Sequence, residues 1–136
     1  MDNMTPRERS AQMALVRSRN TKPEISIRRI VTSLGYKYRL HGKKLPGRPD
    51  LVFSRKKKVI FVNGCFWHGH RCTLGRVPKT RIAFWTNKIL GNGARDKKNV
   101  RLLAARGWRS LTIWECDVKR KSTQAKMIHK IKFFLK

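Results

Sequence analysis

Apolar residues recur three and four apart near both ends of this chain, and alternate or cluster in short runs between. Ile27, Ile30, Val31 and Leu34 fall on one helical stripe that Gly35 closes. Thr21-Lys22-Pro23-Glu24 before them has capping-box spacing, which gives Glu24 a purely structural reading as a cap acid. Met127, Ile128, Ile131 and Leu135 predict a helix over 122–135. Residues 81–90 and 95–106 read as two more helices, the second with Val100, Leu103 and Ala104 on one face and Gly107 as its stop.

Between these, Tyr36, Tyr38 and Leu40 alternate as in a half-buried strand, and the Gly- and Pro-rich stretch 41–49 reads as a turn or loop. Leu51-Val52-Phe53 and Val59-Ile60-Phe61-Val62 flank a basic turn and predict an antiparallel hairpin. Residues 108–115, β-branched and aromatic, predict another strand. The element order is mixed α/β. With no internal repeat and no low-complexity tract, residues 1–136 are expected to form a single domain. Residues 1–20 read as a basic arm, in which the capping-box spacing of Thr5-Pro6-Arg7-Glu8 predicts the start of a short helix. Its apolar surface is small, so it either orders against phosphates or stays a solvated surface helix.

Charge narrows the partners. The chain carries 34 Lys and Arg against 7 Asp and Glu, a formal net charge of +27, while 40% hydrophobic residues suffice for a core. Self-repulsion on this scale calls for a polyanion, and nucleic acid is the commonest. No stretch has the length and apolarity of a membrane span, and the first residues do not resemble a signal peptide, so a cytoplasmic protein is expected.

Three cysteines, an odd number, argue against a disulfide framework there. Cys65, His70 and Cys72 lie close together in CFWHGHRC, and Cys116 ends the last predicted strand. Three thiolates and one imidazole form a tetrahedral zinc set of the closed, structural kind, with His68 as a competing ligand and buried free thiols as the alternative. A carboxylate facing DNA repels phosphate unless a divalent cation bridges the two. Asp50, after the Pro-Gly-Arg-Pro loop and at the start of a strand, fits such a role, though it also reads as a turn-capping Asp. Glu24 on the early helix is its potential helper, and His68 is placed to move a proton unless it is a core histidine.

These residues sit in longer motifs. NTKPE at 20–24, KKLPGRPDLVF at 43–53, VIFVNGCFWHGHRC at 59–72, PKTRIAFW at 78–85, NKILGNGARD at 87–96 and GWRSLTIWEC at 107–116 resemble the very short patch repair (Vsr) DNA mismatch endonucleases, collinearly over about residues 5 to 118. The resemblance implies a restriction-endonuclease-like mixed sheet flanked by helices, with a structural zinc site. It also implies Mg2+-dependent nicking of one strand 5′ of the T in a T:G mismatch, by a monomer acting on double-stranded DNA in the nucleoid. It assigns Asp50 as the Mg2+-binding acid, His68 as general acid/base and Glu24 as the acid that organises the site. Cys65, His70, Cys72 and Cys116 match its zinc ligands, and Phe66, Trp67 and Trp85 its aromatic wedge. The family pattern has Thr-His where this chain has Val62-Asn63, and a histidine-rich run that Gly69 and Arg71 interrupt. The Val62 backbone carbonyl can still face Mg2+, because that contact does not depend on the side chain. Two rival readings are a restriction or homing-type nuclease acting on matched duplex, and a non-catalytic, zinc-stabilised DNA-binding protein.

Overall fold

The computed structural model describes residues 21–65, 70 and 81–136. The basic arm 1–20, Phe66, Trp67, His68 and Cys72 lie outside the described residues.

Helix α1, Lys22–Ser33, starts with proline in its first turn, and Thr21 makes no side-chain cap bond. The helix therefore begins on proline's fixed φ rather than on the expected hydroxyl cap. Gly35, at φ +87, ends it, donating to the Thr32 carbonyl at 3.0 Å. Strand β1 is only Arg39–Leu40. Tyr36 and Tyr38 precede it and pack against the core, while Leu40 is 43% exposed, so the expected alternation marks packing more than pairing.

Strands β2 (Leu51–Phe53) and β3 (Lys58–Asn63) form the expected antiparallel hairpin, with Leu51 opposite Ile60 and Phe53 opposite Lys58. Helix α2 then runs unbroken over Ile82–Ala105 where two helices were expected. Gly91 and Gly93 cost about 1 kcal/mol each relative to Ala. Buried Trp85 and Ile89 near one end and Leu103 near the other hold the helix across them. Strand β4 (Arg109–Trp114) is parallel to β3, completing a four-stranded mixed sheet in the order β1-β2-β3-β4. Short helix α3 (Glu115–Lys119) and helix α4 (Lys121–Leu135) follow.

Alternation along the strands sorts the core into two sides. Leu51, Phe53, Ile60 and Ile113 meet Ile27 and Val31 of α1 and Met127, Ile131 and Leu135 of α4. Val52 and Val59 meet Leu103 of α2, with Leu45, Phe61 and Trp108 beside them. Lys58 Nζ donates to the Phe134 and Lys136 carbonyls, which sets a cation at the C-terminal end of α4. Burial there, with the Lys56 and Arg109 charges, lowers its pKa. No helix among the described residues is long and apolar enough to cross a membrane.

Candidate active site and metal centre

Asp50 enters β2 held from several sides. Its own N–H donates to the Ile60 carbonyl at 3.1 Å, its carbonyl accepts from His41 N–H at 3.2 Å, and its Oδ2 accepts from Val62 N–H at 2.6 Å. The preceding loop is pressed into place: a Cβ on Gly47, at φ +80, would lie 3.0 Å from Asn99 Nδ2 and 3.1 Å from Phe61 Cε1. Glycine alone meets both demands, and the loop between β1 and β2 thereby locks against α2 and β3.

Glu24, in the first turn of α1, is buried and only 8% exposed. Its Oε2 lies 3.3 Å from Arg28 Nη2, one helical turn on, and the same Nη2 is 3.4 Å from His41 Nε2. Glu24, His41 and Asp50 bring one ligand atom each to within 4.8 Å of one another. Asp50 and Glu24 are the acids the sequence points to; the third member, His41, carries only a loop signal in its local sequence. The signal was in the register: Leu40 pairs with Leu51, so the next residues in line are His41 and Asp50. Two carboxylates and an imidazole make a donor set for a divalent cation of hard to borderline character.

The second cluster arises from the parallel pairing. Asn63 lies opposite Trp114 at the end of the pairing, and Cys65 and Cys116, two residues past that pair, come together; Cys116 lies in the first turn of α3 and not, as expected, at the end of a strand. Cys116 N–H donates to Cys65 Sγ at 3.4 Å, and Cys116 Sγ is 3.4 Å from His70 Nδ1. His70 N–H returns to the Cys65 carbonyl at 3.0 Å, and its ring stacks on Trp114 at 4.2 Å. Zinc bonds of about 2.3 Å to sulfur and 2.0 Å to nitrogen put tetrahedral neighbours about 3.5 Å apart, so the sulfur–nitrogen spacing suits a shared metal. Cys65, His70 and Cys116 thus form a group that could hold a metal ion. Cys65 N–H also donates to Glu115 Oε1 at 3.3 Å, while Glu115 Oε2 pairs with Lys119 at 2.8 Å.

Of the three expected wedge aromatics only Trp85 is described, and it is 4% exposed. Its neighbour Phe84 meets it edge-on at 4.9 Å, is 44% exposed, and lies beneath the Arg81 guanidinium at 4.3 Å. To enter a base stack the Trp85 ring has to leave this packing.

Two acids and an imidazole brought together in a strongly basic α/β chain could hold a metal ion, and comparison with known proteins makes the class DNA endonuclease. Residues 1–74 match the family model described as DNA mismatch endonuclease Vsr. The type II nicking enzyme V.XorIIP of Xanthomonas oryzae pv. oryzae is 48% identical over 117 residues, covering 86% of each chain. The type II nicking enzyme V.NmeAIP of Neisseria meningitidis is 40% identical over 121 residues, 89% of this chain and 86% of that one. The DNA mismatch endonuclease Vsr of Escherichia coli is 41% identical over 111 residues, 82% of this chain and 71% of its own. The chain belongs to the Vsr DNA mismatch endonuclease family. A non-catalytic DNA-binding role gives way to this result.

Proposed function

We propose that this protein nicks one strand of duplex DNA on the 5′ side of the T in a T:G mismatch, by Mg2+-dependent hydrolysis of the phosphodiester. The observation that carries this reading is the Asp50 carboxylate, fixed by Val62 N–H at 2.6 Å beside the buried Glu24. A carboxylate so held cannot swing away when the phosphate arrives, and the fixed geometry suits in-line attack.

In this reading the Asp50 carboxylate and the Val62 backbone carbonyl hold Mg2+, and Glu24 orders the surrounding polar groups. The cation, when bound, neutralises charge on the scissile phosphate and makes water a better nucleophile. His68 takes a proton from the attacking water or delivers one to the leaving oxygen, because imidazole titrates near neutrality. Zn2+ held by Cys65, His70, Cys72 and Cys116 fastens segment 65–72 to the start of α3. Phe66, Trp67 and Trp85 wedge into the stack beside the mismatch, where unstacking is easiest. The fold is of the restriction-endonuclease type, the protein acts as a monomer in the cytoplasm at the nucleoid, and the basic arm 1–20 adds phosphate contacts.

A second reading is a restriction or homing-type nuclease acting on matched duplex; two of the relatives carry the name type II nicking enzyme. A strand-resolved nicking assay on T:G and T:A duplexes, with Mg2+ or chelator and with Asp50→Ala as control, separates the two. Nicking of the T:G duplex alone, lost with chelator and in Asp50→Ala, supports the proposal. Equal nicking of both duplexes selects the second reading, and undiminished nicking by Asp50→Ala moves the site elsewhere.

A further inference from the structure

His41 is the part of the acidic cluster that neither the proposed chemistry nor the family resemblance uses. We propose that its imidazole is a third protein ligand of the cation held by Asp50 and Glu24, and that this nitrogen shifts the site's preference from Mg2+ toward transition-metal cations that accept nitrogen more readily, Mn2+ among them. The inference rests on the reading of Asp50 and Glu24 as the cation-binding acids and extends it by naming a ligand and a metal preference.

Three observations carry it. First, His41 N–H donates to the Asp50 carbonyl at 3.2 Å, just past the last β1–β2 pair, Leu40 with Leu51. Their side chains reach the same place: the ligand atoms of His41, Asp50 and Glu24 lie within 4.8 Å of one another. Second, His41 holds this position at φ +50, in the left-handed region that few side chains adopt without compensation. Third, its Nε2 lies 3.4 Å from Arg28 Nη2. A guanidinium has donors only, so the imidazole presents a lone pair there, the same lone pair that a cation takes. Arg28 thus stands between Glu24 and His41 as a positive charge that an incoming cation replaces. Carboxylates suit Mg2+ and Mn2+ alike; an imidazole adds a nitrogen donor, which first-row transition metals accept more readily than Mg2+ does.

The test uses the zinc-replete full chain stripped of loosely held cations. It is titrated with Mn2+ alone and with Mg2+ as competitor, and followed by electron paramagnetic resonance with pulsed detection of nitrogen coupling. The wild-type protein is expected to prefer Mn2+ over Mg2+ by about tenfold and to show a directly bound imidazole nitrogen. His41→Asn, chosen because Asn accepts left-handed backbone, is expected to lose that coupling and about tenfold in Mn2+ affinity, with Mg2+ affinity changed less than about twofold. Asp50→Asn is expected to lose both cations. Thermal melting checks that both variants fold, and should His41→Asn be unfolded, His41→Gln takes its place in the same measurements.

A wild-type spectrum without imidazole coupling, or a coupling that persists in folded His41→Asn, overturns the role of His41. So does unchanged Mn2+ affinity in that variant; each leaves the proposed function standing if Asp50→Asn fails to bind. Cation binding undiminished in Asp50→Asn overturns the underlying cation site instead.

Discussion

The backbone N–H of Val62 donates to Asp50 Oδ2 at 2.6 Å, so an acid at the start of β2 is held by the main chain of β3. The N–H and C=O of one strand residue point to the same side of the strand, which turns the Val62 carbonyl toward Asp50 as well. Asp50→Asn keeps an acceptor for that N–H and is expected to fold normally while nicking falls by at least about 10²-fold. Asp50→Ala leaves the N–H without that partner and is expected to lose a further 1–3 kcal/mol or so of stability. Nicking rates and denaturant midpoints on the same preparations check both.

Cys116 is buried at the first turn of α3, against Cys65 Sγ and His70 Nδ1. Metal held there ties the chain after β3 to the end of β4. Elemental analysis is expected to find about one zinc per chain, and Cys116→Ser to lose it, with a steep fall in melting temperature, since structural zinc couples to folding by on the order of 10 kcal/mol. A metal-free native protein that melts like the variant would sink this expectation.

Trp85 and Phe84 divide structural and surface roles between neighbours. Trp85→Ala removes a ring that is 4% exposed and is expected to cost about 3–5 kcal/mol. Phe84→Ala removes one that is 44% exposed and is expected to change stability by no more than about 0.5 kcal/mol. Urea unfolding of the two variants gives the comparison. Mismatch preference in a Trp85 variant is therefore to be measured well below its unfolding transition.

A net charge of +27 fixes the response to salt. Neutralising about 6–10 phosphates should cost roughly 10³ to 10⁵ in duplex affinity between about 50 and 200 mM salt. A shallow dependence in a binding titration would mean that few of these cations reach the backbone.

The two strands of the hairpin, the α1 stripe and the α4 stripe were legible because each is written in local periodicity. Helix α2 was not, because Gly91 and Gly93 lower local propensity while the packing that carries the helix past them comes from Trp85, Ile89 and Leu103. The β1 strand was overextended for the converse reason: Tyr36 and Tyr38 are patterned for the core without joining the ladder.

Alone, the sequence determined the excess of positive charge that calls for a polyanion, the alternation that builds the hairpin, the donor types of the Cys–His group, and the scarcity of acids that draws attention to Asp50. Tertiary structure decided which of these meet. The parallel pairing of Asn63 with Trp114 brings Cys65 to Cys116, and the short β1–β2 ladder brings His41 to Asp50. Both are set by strand register, a long-range property that depends on which faces are buried and that no local window contains.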